Sequence, residues 1–210
     1  MSTLETRTKL LETALTLIWG SSYNSVGVNE ICKQAGVTKG AFYHHFESKA
    51  SLFCEATEFY WESTKKELDD IMSPVNPPLA QLEGVIDFVF KKKFDQEADS
   101  VRGSPFFTAG SQTGCHEECI TDSLKTMCTN GVIYNSALVR TLHSDGFLEG
   151  ESIDVDRIAR LMSQYIQGAV SFARVEGCIT NIKRDLPEGL YRIIGLKKEF
   201  WFSEFSSNRA

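Results

Sequence analysis

No stretch of this chain is apolar for anything near the ~20 residues that a membrane-crossing helix needs. Its first residues, MSTLETRTKLLETAL, lack the apolar block and small-residue cleavage site of a secretory leader, so a cytoplasmic protein with no membrane partner is expected. Alternating strand patterns are almost absent, and so are internal repeats and low-complexity tracts. The six cysteines, at 32, 54, 115, 119, 128 and 178, do not frame short loops; they are scattered through helical patterns and read as thiols, not as a disulfide framework. Basic charge is not in excess, the formal net charge being −6. Proline is scarce, and three of the five residues fall in one stretch, SPVNPP at 73–78, where a helix must stop. What remains is a 210-residue chain, 42% hydrophobic and 24% charged, with apolar material for one sizeable core or two modest ones.

The acidity is unevenly spread. Residues 1–50 hold five basic residues (Arg7, Lys9, Lys33, Lys39, Lys49) against four acidic ones (Glu5, Glu12, Glu30, Glu47), which leaves 17 basic and 24 acidic residues for the rest. A near-neutral head on an acidic body suits a head that meets an anion.

Helical periodicity dominates. Leu11, Ala14, Leu15 and Ile18 follow i, i+3, i+4, i+7 spacing and share one face of a first helix that ends at Gly20. A second, short helix carries Ile31 and Ala35 and stops at Gly36. Thr38 is placed to N-cap a third over Lys39 to Phe46, and Ser48 a fourth running down through Leu52, Ala56, Phe59 and Ser63 towards Met72. After the proline break comes a fifth, with Leu82, Ile86, Val89, Phe90 and Phe94 in register. Residues 99–114 read as a loop. Ile120, Leu124, Met127, Leu138 and Leu142 mark a long helix ending at Gly146, and two more, about 154–178 and 187–205, close an all-α chain.

Two short helices joined at Gly36 make a helix-turn-helix, spanning Gly27 to Phe46, whose second helix would enter a major groove. Lys39 and Gly40 open that helix, where free N–H groups and the dipole can face phosphate and Gly40 permits close approach. Phe42 and Phe46, at i and i+4, anchor it on its core. Tyr43 and His44 fall on the other side, towards phosphate or base edges, while His45 faces inward. Ser48-Lys49 offers a cap and a cation, a second phosphate site.

The run GVTKGAFYHHFESKASLF (36–53) resembles the signature of TetR-type transcriptional repressors, matching at Gly36, Val37, Thr38, Lys39, Gly40, Tyr43, His45, Phe46, Ser48, Lys49 and Leu52. LETALTLIWGSSYNSVGVNEICKQAG (11–36) is similar to the family's first two helices. The family usually has Gly where this chain has Ser22, and Ser or Thr where it has Gly27, although Gly is itself an accepted N-cap. The resemblance covers roughly residues 4–64. It implies a DNA-binding domain over 4–64 that uses Thr38, Lys39, Gly40, Ala41, Tyr43, His44 and Lys49, and an effector-binding and dimerisation domain over 79–205. It also implies double-stranded operator DNA, a small-molecule effector and a second copy of the chain as partners.

Beside that resemblance, Ala169, Ala173 and Gly177 form a small-residue ridge along which another helix could approach, and Leu190, Ile194 and Trp201, with Ile193, Phe200 and Phe205, make a face wider than one domain needs. Both suit a homodimer. Phe88, Phe106, Phe107, Tyr134, Tyr165 and Phe172 are candidate walls of a cavity for an apolar or aromatic effector. Lys91-Lys92-Lys93 reads as a solvated face. Cys115-His116-x-x-Cys119, with Cys128, leaves a thiol-based redox-responsive regulator open as an alternative; the spacing is not that of a zinc site, and neither a metal nor a cofactor is expected. Cys115 and His116, adjacent on a helix, point about 100° apart and make no catalytic dyad. The expected function is a ligand-responsive transcription regulator, most plainly a repressor, and not an enzyme; a constitutive architectural DNA binder is the plainer rival.

Overall fold

A computed structural model of the chain describes residues 3–20, 23–95, 100–101 and 118–202. The chain divides into two compact units, Met1–Lys66 with Ser104–Met127, and Glu67–Gly103 with Cys128–Ala210. The fold is all-α.

In the first unit, α1 (Thr3–Gly20), α2 (Val28–Ala35), α3 (Lys39–His45) and the start of α4 (Lys49–Ile71) surround one core. The predicted face of α1, Leu11, Ala14, Leu15 and Ile18, is buried, with Leu10 beside it. It meets Ile31, Cys32 and Ala35 of α2, Phe42 of α3 and Leu52, Phe53 and Ala56 of α4. The sharp turn between α2 and α3 depends on Gly36, whose φ of +63° is open to glycine without strain. There Gly36 N donates to Lys33 O and Val37 N to Cys32 O, closing α2 with a left-handed cap. Ile120, from the start of a later helix, is fully buried in this core, and Leu124 and Met127 pack on it.

The second unit is built on α5 (Pro78–Lys93), the later part of α6 (Glu118–Ser144), α7 (Val155–Glu176) and α8 (Thr180–Ile194). Leu82, Ile86, Val89 and Phe90 of α5 pack with Leu138, Val139 and Leu142 of α6, Met162, Ile166 and Val170 of α7, and Leu186 and Leu190 of α8. A two-residue antiparallel ladder, β1 (Phe94–Asp95) with β2 (Ser100–Val101), follows α5. Asp154 caps α7, its Oδ1 accepting from Arg157 N at 3.0 Å.

The last helix differs from its expected bounds of 187–205. It begins at Thr180, holds Pro187 in its interior and stops at Gly195, whose φ is +70°. Pro187 invites misplacement because proline is favoured at helix starts and here gives up an interior N–H. Beyond Gly195 the chain becomes a strap: Leu196 bridges to Leu148, Lys197 N donates to Phe147 O, and a short 3₁₀ turn, Lys198–Phe200, follows. Leu190 and Ile194 are buried within this core and are not free for a second subunit.

Candidate nucleic-acid interface

The second helix of the helix-turn-helix is held from below and bare above. Thr38 Oγ1 accepts from Ala41 N at 3.1 Å, so the predicted cap forms. Phe42 and Phe46 are buried with ring centroids 6.0 Å apart. Arg7 lies over the Phe46 ring at 5.5 Å and pairs with Glu55, tying α1 to α4. On the opposite side Thr38, Lys39, Gly40 and His44 are exposed, and Tyr43 is 56% exposed although its ring stands edge-on to Phe42 at 5.1 Å. His45 is half-buried beside His44, with centroids 5.1 Å apart.

Gly40 carries a specific message. A Cβ built there would meet only Thr38 Oγ1, at an ordinary 3.8 Å. Nothing among the described residues demands glycine at that position, yet glycine costs a helix about 1 kcal/mol relative to alanine. An external surface that must approach the backbone supplies a reason that the fold does not.

The start of α4 is more internally engaged than its sequence suggests. Ser48 and Ser51 cap one another, Ser51 N donating to Ser48 Oγ at 3.0 Å and Ser48 N to Ser51 Oγ at 3.1 Å. Lys49, half-buried, donates through Nζ to Tyr23 O at 3.0 Å and stands 4.1 Å over the Tyr23 ring. Sequence reasoning missed this bond because the partners are 26 residues apart; the clue was only that a tyrosine follows the Gly20 break.

The described effector-wall candidates each have contacts of their own. Phe88 is half-buried under Lys92, whose Nζ lies 5.6 Å from its ring. Tyr134 donates to the Asp69 carboxylate. Tyr165 donates to Asp185 O at 2.6 Å and presses on Gly189, where a Cβ would come within 2.0 Å of the hydroxyl; it fastens α7 to α8, and burial followed by the charges of Asp185 and Glu188 raises its pKa. Phe172 is 65% exposed. Phe106, Phe107, Cys115, His116 and Phe205 lie outside the described residues. Cys119 and Cys128 are exposed free thiols.

Two further expectations need correction. Lys91-Lys92-Lys93 is not a uniformly solvated face: Lys91 and Lys92 share Glu67 at 2.7 and 3.0 Å. Burial alone would raise the Glu67 pKa; the two lysines override it and leave it lowered. Lys93 is half-buried by area, yet its ammonium lies deep enough that desolvation, followed by the like charge of Lys92, lowers its pKa to about 8. The small-residue ridge also points inward, Ala173 being buried in the core and Ala169 packed on it, while Gly177 is the left-handed cap of α7. The apolar groups that face out from α7 are Leu161, Phe172 and Val175, the last 87% exposed.

Residues 10–56 match the family described as bacterial regulatory proteins, tetR family. Over 171 residues the chain is 26% identical to the uncharacterized HTH-type transcriptional regulator YxaF of Bacillus subtilis, covering 79% of this chain and 83% of that one. Over 52 residues it is 42% identical to a probable acrEF/envCD operon repressor of Escherichia coli, covering 25% of this chain and 24% of that one. Among solved structures, a SmeT–triclosan complex superposes with a TM-score of 0.72 at 17% identity, over 94% of this chain and 95% of that one.

Proposed function

The chain belongs to the TetR family of transcriptional regulators, and we propose that it acts in the cytoplasm as a homodimeric repressor released from a palindromic operator by a small apolar or aromatic effector. It carries out no chemical step on this reading. The observation that carries the proposal is the second helix of the helix-turn-helix, with Thr38, Lys39, Gly40, Tyr43 and His44 outward and Phe42 inward. Lys39 neutralises phosphate and positions the domain; Tyr43 and His44 reach base edges or phosphate; Thr38, Gly40 and Ala41 let the backbone come close. Lys49, at the start of α4, adds a phosphate contact.

A palindromic site requires two heads related by twofold symmetry. Leu161, Phe172 and Val175 offer the apolar face through which a second copy would pair. The effector reading assigns the body, residues 79 to 178, to the small molecule. One relative's name makes that protein an operon repressor, and one structural neighbour holds triclosan; both support extending the same logic here. Release follows from linkage: a ligand that favours a state with differently spaced heads weakens DNA binding by the factor by which DNA weakens ligand binding, typically about 1–3 kcal/mol. Helix α4 begins with Lys49 and ends at Ile71, which makes it the natural lever.

Competition gel shifts test the core of this. A duplex selected from a random pool should outcompete random duplex by at least ~10³-fold, the low end for specific binders. Equal competition across several salt concentrations overturns the sequence-specific reading. A ligand that binds the body and leaves the DNA dissociation constant unchanged overturns the release reading alone.

A further inference from the structure

Between the end of α4 and the start of α5, and against the last turns of α6, lies a groove of about 610 Å³ within the second unit, a size suited to a small ligand. Met72, Pro74, Val75 and Ile133 supply apolar wall, and Asp69, Asp145, Gln81 and Tyr134 supply its polar edge. Among the described residues, no Lys, Arg or His lines it.

The groove is rich in acceptors because its donors are already used. Asn76 Nδ2 donates to Asp70 O and Ile71 O at 2.9 and 3.0 Å, closing the end of α4. Gln81 Nε2 donates to Ser73 O and Asn76 O, both at 3.1 Å. Tyr134 donates to Asp69. Pro74, Pro77 and Pro78 have no N–H to give, so the first turn of α5 keeps only the N–H groups of Leu79 and Ala80 as donors. The oxygens remain. Gln81 is only 4% exposed and its Oε1 has no partner among the described residues, a deficit that costs about 1–3 kcal/mol for a buried acceptor. Neither Asp69 nor Asp145 pairs with a cation among the described residues. The C-terminal ends of α4 and α6, at Ile71 and Ser144, add partial negative charge.

We propose that this groove binds a small protonated amine with an apolar body, its ammonium set against Asp69, Asp145 and Gln81 and its body against Met72, Val75 and Ile133. A bare metal ion fits less well, since no group of three His, Cys, Asp or Glu side chains converges among the described residues and the apolar wall would have no use. The proposal concerns binding at this groove and stands apart from DNA release.

Calorimetric titration of the full chain with n-hexylammonium, hexanol and hexanoate at pH 7 tests it, with amide chemical shifts reporting location. The ammonium should bind at least ~10-fold tighter than the alcohol, which is about 1.4 kcal/mol, with hexanoate weakest and shifts centred on residues 69–81 and 133–145. The double variant Asp69→Asn, Asp145→Asn, which keeps side-chain shape, should remove the preference. Asp145→Asn alone, at a side chain with no hydrogen bond or ion pair among the described residues, should weaken the ammonium without lowering Tm, and so guards against a folding defect in the double variant. Equal binding of ammonium and alcohol overturns the proposal, as does an undiminished preference in the folded double variant or shifts confined to other regions. Ammonium binding that leaves DNA affinity unchanged supports the groove and leaves the release reading as it stands.

Discussion

The ammonium of Lys49 donates to Tyr23 O at 3.0 Å and lies 4.1 Å from the centroid of the same residue's ring. A side chain whose sequence position suggests a phosphate contact therefore also pins the segment between α1 and α2 to the start of α4. Lys49→Met should lower stability by about 1–2 kcal/mol, through a lost charged hydrogen bond and cation–π contact. It should also weaken every duplex by a similar factor and make the log–log salt slope shallower by about one. A lower Tm with an unchanged slope would confine Lys49 to the interior role, and a changed base preference would contradict both.

Tyr165 and Gly189 fit each other as knob and recess. Gly189→Ala should destabilise the second unit by about 1–3 kcal/mol, the usual cost of overpacking, because the added methyl would collide with the Tyr165 ring and hydroxyl. Tyr165→Phe removes only the bond to Asp185 O, about 1 kcal/mol. Chemical denaturation of both variants checks the order; a Gly189→Ala protein as stable as the parent would mean that α7 and α8 part easily.

On α7, the inward and outward faces predict opposite outcomes. Phe172→Asp with Val175→Asp should leave the fold intact and reduce the mass measured by light scattering to that of one 23.5 kDa chain. Ala173→Leu, at a side chain that is 1% exposed, should instead lower Tm, with overpacking of about 1–3 kcal/mol. An undiminished dimer in the double Asp variant would move the interface elsewhere.

Lys93 makes stability depend on alkaline pH. Its folded pKa of about 8 lies below its ordinary 10.5, so between those values the unfolded chain holds a proton that the folded chain has released. Stability then rises with pH across that window. Below pH 8 both states are protonated and the full penalty is present, at most about 3 kcal/mol for a shift of this size. Lys93→Met should raise Tm at pH 7 and flatten the dependence between pH 8 and 10.5. Denaturation across that range decides it; an unchanged slope in the variant places the titration elsewhere.

The local parts of the DNA-facing segment were legible in the sequence because each depends on neighbours within about four residues. Thr38 caps Ala41 N, Gly36 takes a positive φ, and Phe42 and Phe46 fall on one face by helical spacing alone. The first face of α1 and the stop at SPVNPP follow from the same short-range rules. Tertiary structure decided what lies across from each face. Helix α7 has both a small-residue ridge and an apolar stripe, and periodicity ranks neither; packing against α8 took Ala169 and Ala173 inward and left Phe172 and Val175 outside. Likewise Lys91, Lys92 and Lys93 read as one charged run, until Glu67, 24 residues back from the first, took two of them and the interior took the third. Pro187 looked like a helix start and is a helix interior, its neighbours Leu186 and Leu190 being held by the core. Periodicity reports which residues share a face of one element, and the sequence determined that much; which partner covers the face is set by side chains tens of residues away, and only the packed fold brings those together.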